Sequence, residues 1–163
     1  MKSTLHHIAR LKPADGGLVL GPRPGKKSKA ALGKLGLTHV CTLLRASEIP
    51  GPIESIAEEL HCRWVWLPIS GGSLETLSAL DTTAMVVQLA AALADEPSPR
   101  VYLHCSAGIH RTGFFAAVLL RLHPLKASDI ADALVRLRPV TGQNVGGDRI
   151  ALAVSRAEAL LLE

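Results

Sequence analysis

Aromatic side chains are scarce: two tryptophans, two phenylalanines and one tyrosine bring them to 3% of 163 residues. A core built with so few rings must rest on leucine, alanine, valine and isoleucine. Cysteine is also rare. Cys41, Cys62 and Cys105 are an odd set with no framework spacing, which excludes a disulfide scaffold and fits a reducing, cytosolic setting. Long apolar runs are missing, the longest being Phe114 to Leu120, far short of the roughly 18 residues that span a bilayer. The N-terminal stretch lacks the apolar segment of a signal peptide, so a soluble, cytoplasmic protein is expected, with no membrane partner. Charge of one sign is not in large excess. A formal +4 and a pI near 9.2 suit an anionic substrate but are too little to argue for nucleic acid.

Internal repeats, low-complexity tracts and long linkers are absent too, and one domain over 1–163 is expected. Hydrophobic residues at 48% and charged residues at 20% describe a globular chain. Glycine and proline punctuate it into alternating elements. Leu18–Leu20 reads as a strand closed by Gly21-Pro22-Arg23-Pro24-Gly25, and Lys29–Leu35 as a short helix ended by Gly36. His39–Leu44 and Cys62–Ile69 read as strands either side of a helix over Ile53–Leu60. After Gly71-Gly72 the spacing predicts one long helix over 74–94, with Asp81 inside it, stopped by Pro97 and Pro99. Val101–His104 is the next strand and Thr112–Leu122 its helix. Ser128 is expected to cap a helix over 129–137, residues 143–147 to form a polar loop, and a last helix to run from Asp148 to Leu161. Such alternation predicts an α/β fold, a mostly parallel central sheet flanked by helices on both faces. Ligands in such sheets bind beyond the carboxyl ends of strands.

That is where HCSAGIHRTG (104–113) falls, and a hydrophobic core needs none of it. Between Cys105 and the following helix, Ser106, Ala107, Gly108, Ile109 and His110 form a tight turn whose N–H groups can converge. The helix start adds unpaired N–H groups and the positive end of its dipole, so the turn is an anion nest. Gly108 permits a conformation closed to other residues, and Gly113 allows close packing. The same field favours the thiolate of Cys105, a ready nucleophile. Arg111 offers a planar fork for two phosphoryl oxygens, and Thr112 a hydroxyl beside the sulfur. A buried structural cysteine would not explain Arg111 and Thr112 at this spacing. A zinc site from His104, Cys105 and His110 lacks a fourth ligand, and adjacent strand residues point to opposite faces.

The stretch matches the His-Cys-x5-Arg-Ser/Thr signature and resembles the cysteine-dependent protein tyrosine phosphatases. GLVLGPRP (17–24), LGLTHVCTLLR (35–45) and LRPVTGQN (137–144) are similar to segments of their compact dual-specificity branch. The resemblance implies a phosphatase-type phosphate loop between a strand and a helix. It also implies two-step hydrolysis of a phosphate monoester through a phosphocysteine on Cys105, without metal or other cofactor. Arg111 and Thr112 would be catalytic, and Ser106, Ala107, Gly108, Ile109, His110 and Arg111 would bind the phosphate. The family's general acid is an aspartate on the loop before the long helix. Here Ile69, Ser70 and Gly71 stand there instead, and the first carboxylates are Glu75, which is preferred, and Asp81.

A phosphorylated protein or peptide is the expected substrate. Phosphotyrosine comes first and phosphoserine or phosphothreonine next, with no nucleic-acid partner and oligomeric state left open. The missing aspartate keeps two alternatives in view: a phosphate-binding module with weak turnover, and a phosphoinositide or inositol phosphate phosphatase. Cys41 and Cys62 are read as core residues, with protection of Cys105 by a disulfide as the other reading. The segment GPRPGKKS lacks the spacing of a Walker loop. Its lysines are read as a solvated face, or as steering for anionic substrates. Gln143 and Asn144 are loop residues or position water.

Overall fold

Four strands of four residues each carry the chain through the centre of the fold: β1 Leu18–Gly21, β2 His39–Thr42, β3 Arg63–Trp66 and β4 Val101–His104. This architecture is that of a computed structural model, which describes residues 1–163. The strands pair in parallel in the order β1-β4-β2-β3, so the sheet is wholly parallel. Gly21 and Thr42 both lie opposite His104, and Trp66 lies opposite Thr42. All four strands therefore end at one level. The segments that follow them gather at that end, as expected for an open α/β sheet. β2 and β4 are buried throughout because both neighbours and both faces are covered, whereas β3 is an edge with alternating exposure.

Helices α1 Lys2–Ala9, α2 Lys29–Leu32, α3 Gly51–Glu59, α4 Leu74–Ser78 and α5 Thr82–Leu93 come before β4. After it come α6 His110–Leu122, α7 Ile130–Leu137, α8 Pro139–Asn144 and α9 Gly147–Leu161. α3 packs against β2 and β3, α1 packs on α5, and α9 packs on α6. The apolar run in α6 is explained by its position, since every residue from Arg111 to Leu120 is buried. Burial of Phe114 and Phe115 stabilises the fold by roughly 1.5–3 kcal/mol each. No helix is long and apolar enough to cross a membrane.

Several sequence expectations need correction. The helix expected over 74–94 is two helices, and Asp81 lies between them as the N-cap of α5, accepting from the Ala84 N–H at 3.0 Å. Ser128 caps nothing: it sits in a 3-10 turn, Ala127–Asp129, ahead of α7. Of the polar loop expected over 143–147, Gln143 and Asn144 end the helix α8 and Gly147 starts α9, so that only 145–146 link them, and the sequence pattern held no sign of α1. The helix after the anion turn starts at His110 rather than Thr112, which puts His110 and Arg111 in its first turn.

Candidate active site

The turn from Cys105 to Ile109 is held with its carbonyls facing away from the centre of the loop. The Cys105 carbonyl accepts from His104 Nδ1 at 3.0 Å, and that of Ser106 from the Arg23 N–H at 2.9 Å. Arg138 Nη1 donates to the carbonyls of Ala107 (3.1 Å) and Gly108 (2.9 Å), and Thr141 Oγ1 also donates to Gly108 (2.6 Å). Ile109 accepts from the Gly113 N–H at 2.8 Å. By contrast, the N–H groups from Ser106 to Thr112 find no acceptor inside the protein. Peptide planes fixed carbonyl-out present their donors to one centre, and a phosphoryl group supplies the acceptors they lack. Gly108 makes the bend at φ +72°, where a Cβ would run into the Gly21 carbonyl. Gly113 lets α6 approach Val145, whose Cβ would stand 2.8 Å from an added methyl.

Cys105 sits under this ring of donors, 3% exposed, and Arg111 flanks it. The Arg111 guanidinium is shared between two directions. Nη1 and Nη2 form a bidentate pair with Glu48 at 2.6 and 3.0 Å, and Nη1 also donates to the Ile69 carbonyl at 3.1 Å. The Nε–H and the second Nη2 hydrogen are left for a ligand. The arginine's hydrogen bonds hold the Glu48 carboxyl down at about 2, and Glu48 in turn raises the arginine above its ordinary value. Glu48 was not anticipated from the sequence. It ends a 3-10 turn, Ala46–Glu48, after β2, where its carboxylate also accepts from the Arg45 N–H. Four further arginines surround the turn and donate to carbonyls: Arg23 to Glu48 and Ile49, Arg45 to Ser70, Arg138 as above, and Arg149 to Gly72. None of the four makes a side-chain ion pair, although Arg45 acts on the Glu48 carboxylate at longer range.

His104 lies beneath the loop, fully buried, and burial pushes its imidazole down to about 4. Since Nδ1 must donate to the Cys105 carbonyl, Nε2 is the acceptor. It accepts a hydrogen bond from the Thr42 hydroxyl at 2.7 Å, and Thr42 Oγ1 in turn accepts one from Trp64 Nε1–H at 2.8 Å. This chain fixes the histidine as a neutral donor that orients the first peptide of the turn, with no proton of its own to exchange. Thr112 Oγ1 is buried without a partner, the one such hydroxyl in the loop.

A strand-end cysteine, a donor-lined turn and an arginine clamped behind it form the arrangement that the sequence resemblance implies. The family model for PTP-SAK, the Swiss Army Knife protein DSP-PTPase phosphatase domain, matches residues 16–149. The chain belongs to that family. Solved structures share its fold. Tk-PTP in its active form superposes with a TM-score of 0.66 at 16% identity, over 87% of this chain and 91% of the other. TpbA of P. aeruginosa gives 0.61 at 19%, over 90% and 86%. The core catalytic domain of the PP-IP phosphatase SIW14 from S. cerevisiae, in complex with citrate, gives 0.58 at 16%, over 87% and 86%. No curated protein matches the chain. Membership in this family makes the protein a phosphatase-type enzyme, whose reaction requires a phosphorylated substrate.

The remaining predicted residues of this PTP-SAK domain divide into those brought to the turn and those kept away. Ser106, Ala107 and His110 are exposed around the turn, and Ile109 is half-buried. Residues 69–72 do line it, through the Ile69 carbonyl and through Gly72, where an added Cβ would meet that of His110 at 2.8 Å. Glu75 follows on the exposed first turn of α4, without a hydrogen-bond partner, and Asp81 is engaged as a helix cap. Neither is anchored at the turn. Gln143 and Asn144 are exposed at the end of α8, with Asn144 bonded to Val140. Thr141 and Arg138 from the same segment are the ones that hold the loop. Cys41 is in the core opposite Leu103, and burial pushes its thiol up. Cys62, just before β3, is at the far end of the sheet from Cys105 and unsuited to protecting it.

Proposed function

We propose that this protein hydrolyses phosphate monoesters by a two-step, cysteine-dependent mechanism, with phosphotyrosine in proteins or peptides as its preferred substrate. The observation that carries the reading is the inverted turn at 105–109, carbonyls tied outward and N–H groups unpaired inward around Cys105. Three phosphoryl oxygens take those N–H groups and the free edge of Arg111. Cys105 Sγ attacks phosphorus, the S–P bond forms, and the ester oxygen leaves with a proton. Water then attacks the phosphocysteine, releasing phosphate and the thiolate, to which Thr112 Oγ1 donates.

Leaving-group chemistry supports the aryl ester. Residues 69–72 hold no carboxylate, Asp81 is occupied, and Glu75, which we retain as the proposed acid, stands outside the turn. A phenolate, with a parent pKa of about 10, departs with far less proton assistance than a serine or threonine alkoxide. The arginines Arg23, Arg45, Arg138 and Arg149, none of them in a side-chain ion pair, support a second reading, a polyphosphorylated small molecule of the inositol pyrophosphate kind that SIW14 is named for. We place the protein in the cytoplasm, where its three free cysteines stay reduced.

Phosphate release from p-nitrophenyl phosphate, a phosphotyrosine peptide, a phosphoserine peptide and an inositol pyrophosphate separates the readings. Fastest turnover of the phosphotyrosine peptide is expected. Fastest turnover of the inositol compound would replace it by the second reading. Phosphate binding without turnover of any substrate would leave only a binding module.

A further inference from the structure

Beside the turn lies a cleft of about 720 Å³ between the segment after β1 and the first turns of α3, lined by Arg23, Lys26, Lys29, Pro52, Ser55 and Ile56. It opens at the rim of the phosphate site, because the Arg23 N–H holds the Ser106 carbonyl while its guanidinium holds the carbonyls of Glu48 and Ile49. Lys29 is paired with Glu59, but Arg23 and Lys26 have no carboxylate, so the rim keeps net positive charge.

Ile49 adds a second and independent feature. It stands between Glu48, which grips Arg111, and the start of α3, and it is 68% exposed. Its φ is +55°, a left-handed conformation that a β-branched side chain adopts only under constraint. Arg23 supplies that constraint through the two carbonyls. Strain retained beside a reactive centre is a mark of function, and here it leaves an apolar side chain standing in solvent at the lip of the site.

We propose that the cleft and Ile49 together bind the polypeptide flanking the phosphorylated residue, an acidic side chain lying against Arg23 and Lys26 and an apolar one against Ile49. The inference rests on the protein-substrate reading above and names what that substrate must carry. A compact polyphosphate would satisfy the cations but has nothing to place against Ile49, Pro52 and Ile56. A segment that is both acidic and apolar satisfies all of them.

The test compares kcat/KM for phosphotyrosine peptides of equal length, one flanked by glutamate and leucine, one by lysine and leucine, and one by glutamate and serine. Wild type is expected to prefer the first over the second by about tenfold, the sum of two partly exposed charge pairs. That preference should fall to about twofold between roughly 0.05 M and 1 M salt. Lys26→Glu should remove most of it, and Ile49→Gly, whose glycine accepts the same backbone angle, should erase the preference for leucine over serine. Each ratio is taken within one protein, so a general loss of turnover cancels. Unchanged ratios in both variants, or phosphopeptides dephosphorylated by wild type without preference, would overturn the cleft while leaving the protein-substrate reading intact. Turnover of p-nitrophenyl phosphate or an inositol pyrophosphate with no phosphopeptide dephosphorylated would overturn both.

Discussion

The Arg111 guanidinium is held on one side by Glu48, and under the proposed mechanism its other edge is the part that grips the phosphoryl group. The carboxylate occupies Nη1 and one hydrogen of Nη2, which turns the Nε edge toward the turn and removes the rotamer freedom of a long side chain before substrate arrives. Glu48→Gln keeps the shape but loses the ionic, bidentate grip, so kcat/KM should fall about 10–100-fold with the fold retained. Kinetics near wild type would mean that the Ile69 carbonyl suffices to aim the arginine. Because Glu48 is held at about 2, below its ordinary value, the pair is complete above the usual carboxylate range and is lost only as pH falls through about 2. An acid limb in the rate between pH 4 and 7 must therefore come from another group. This partner was not legible in the sequence. Glu48 is one of 14 acidic residues and stands 63 positions from Arg111, with no motif around it. Cys105, Arg111 and Thr112 could be singled out in the sequence because they stand at fixed spacing within one short stretch, 105–112.

At the scale of elements, the 105–109 turn depends on what surrounds it as much as on its own glycine. Arg138 and Thr141 hold its carbonyls from the junction of α7 and α8, where Arg138-Pro139 marks the end of a helix in the sequence but nothing signals that another follows at once. Tertiary packing makes it helical: Gly142 lies so close to the Val135 backbone that no side chain fits between them. The break between α4 and α5 was hidden for a related reason. Apolar periodicity runs on through 79–81, and what restarts the helix is a side-chain bond from Asp81 to the backbone, which periodicity does not register. Asp81→Ala should cost about 1 kcal/mol of stability in a denaturant titration, and Asp81→Asn, still a capping residue, only a few tenths. The acid is tested on the same pair of helices. Glu75→Gln should slow an alkyl phosphate by about 10²-fold and scarcely touch an activated aryl phosphate. That pattern in Asp81→Asn, with Glu75→Gln silent, would transfer the role to Asp81. Silence of both on both substrates would leave water as the proton source.

For the whole molecule, the parallel sheet and its flanking helices followed from alternation of strands and helices, because buried parallel strands are short, apolar and bounded by turn formers. Strand order was not legible, since only tertiary pairing brings β4 between β1 and β2 and so puts the turn over the middle of the sheet. The buried His104 couples that sheet to pH. Its folded value of about 4 lies below the ordinary one, so between about 4 and 6.5 the unfolded chain binds the extra proton and stability rises with pH. Stability should drop on the order of 1–2 kcal/mol from pH 7 to pH 5, and His104→Gln should flatten that slope. An equal slope in the variant would assign it to other histidines, His39 among them, which burial also lowers. The central claim, that the turn around Cys105 makes a covalent phosphoryl-transfer site, is tested most directly by one paired measurement. Wild type and Cys105→Ser are compared for p-nitrophenyl phosphate turnover and for binding of inorganic phosphate. Turnover is expected to fall by more than about 10³-fold in the serine variant, with phosphate binding kept because the cup is backbone and Arg111. Turnover within tenfold of wild type in Cys105→Ser would contradict it.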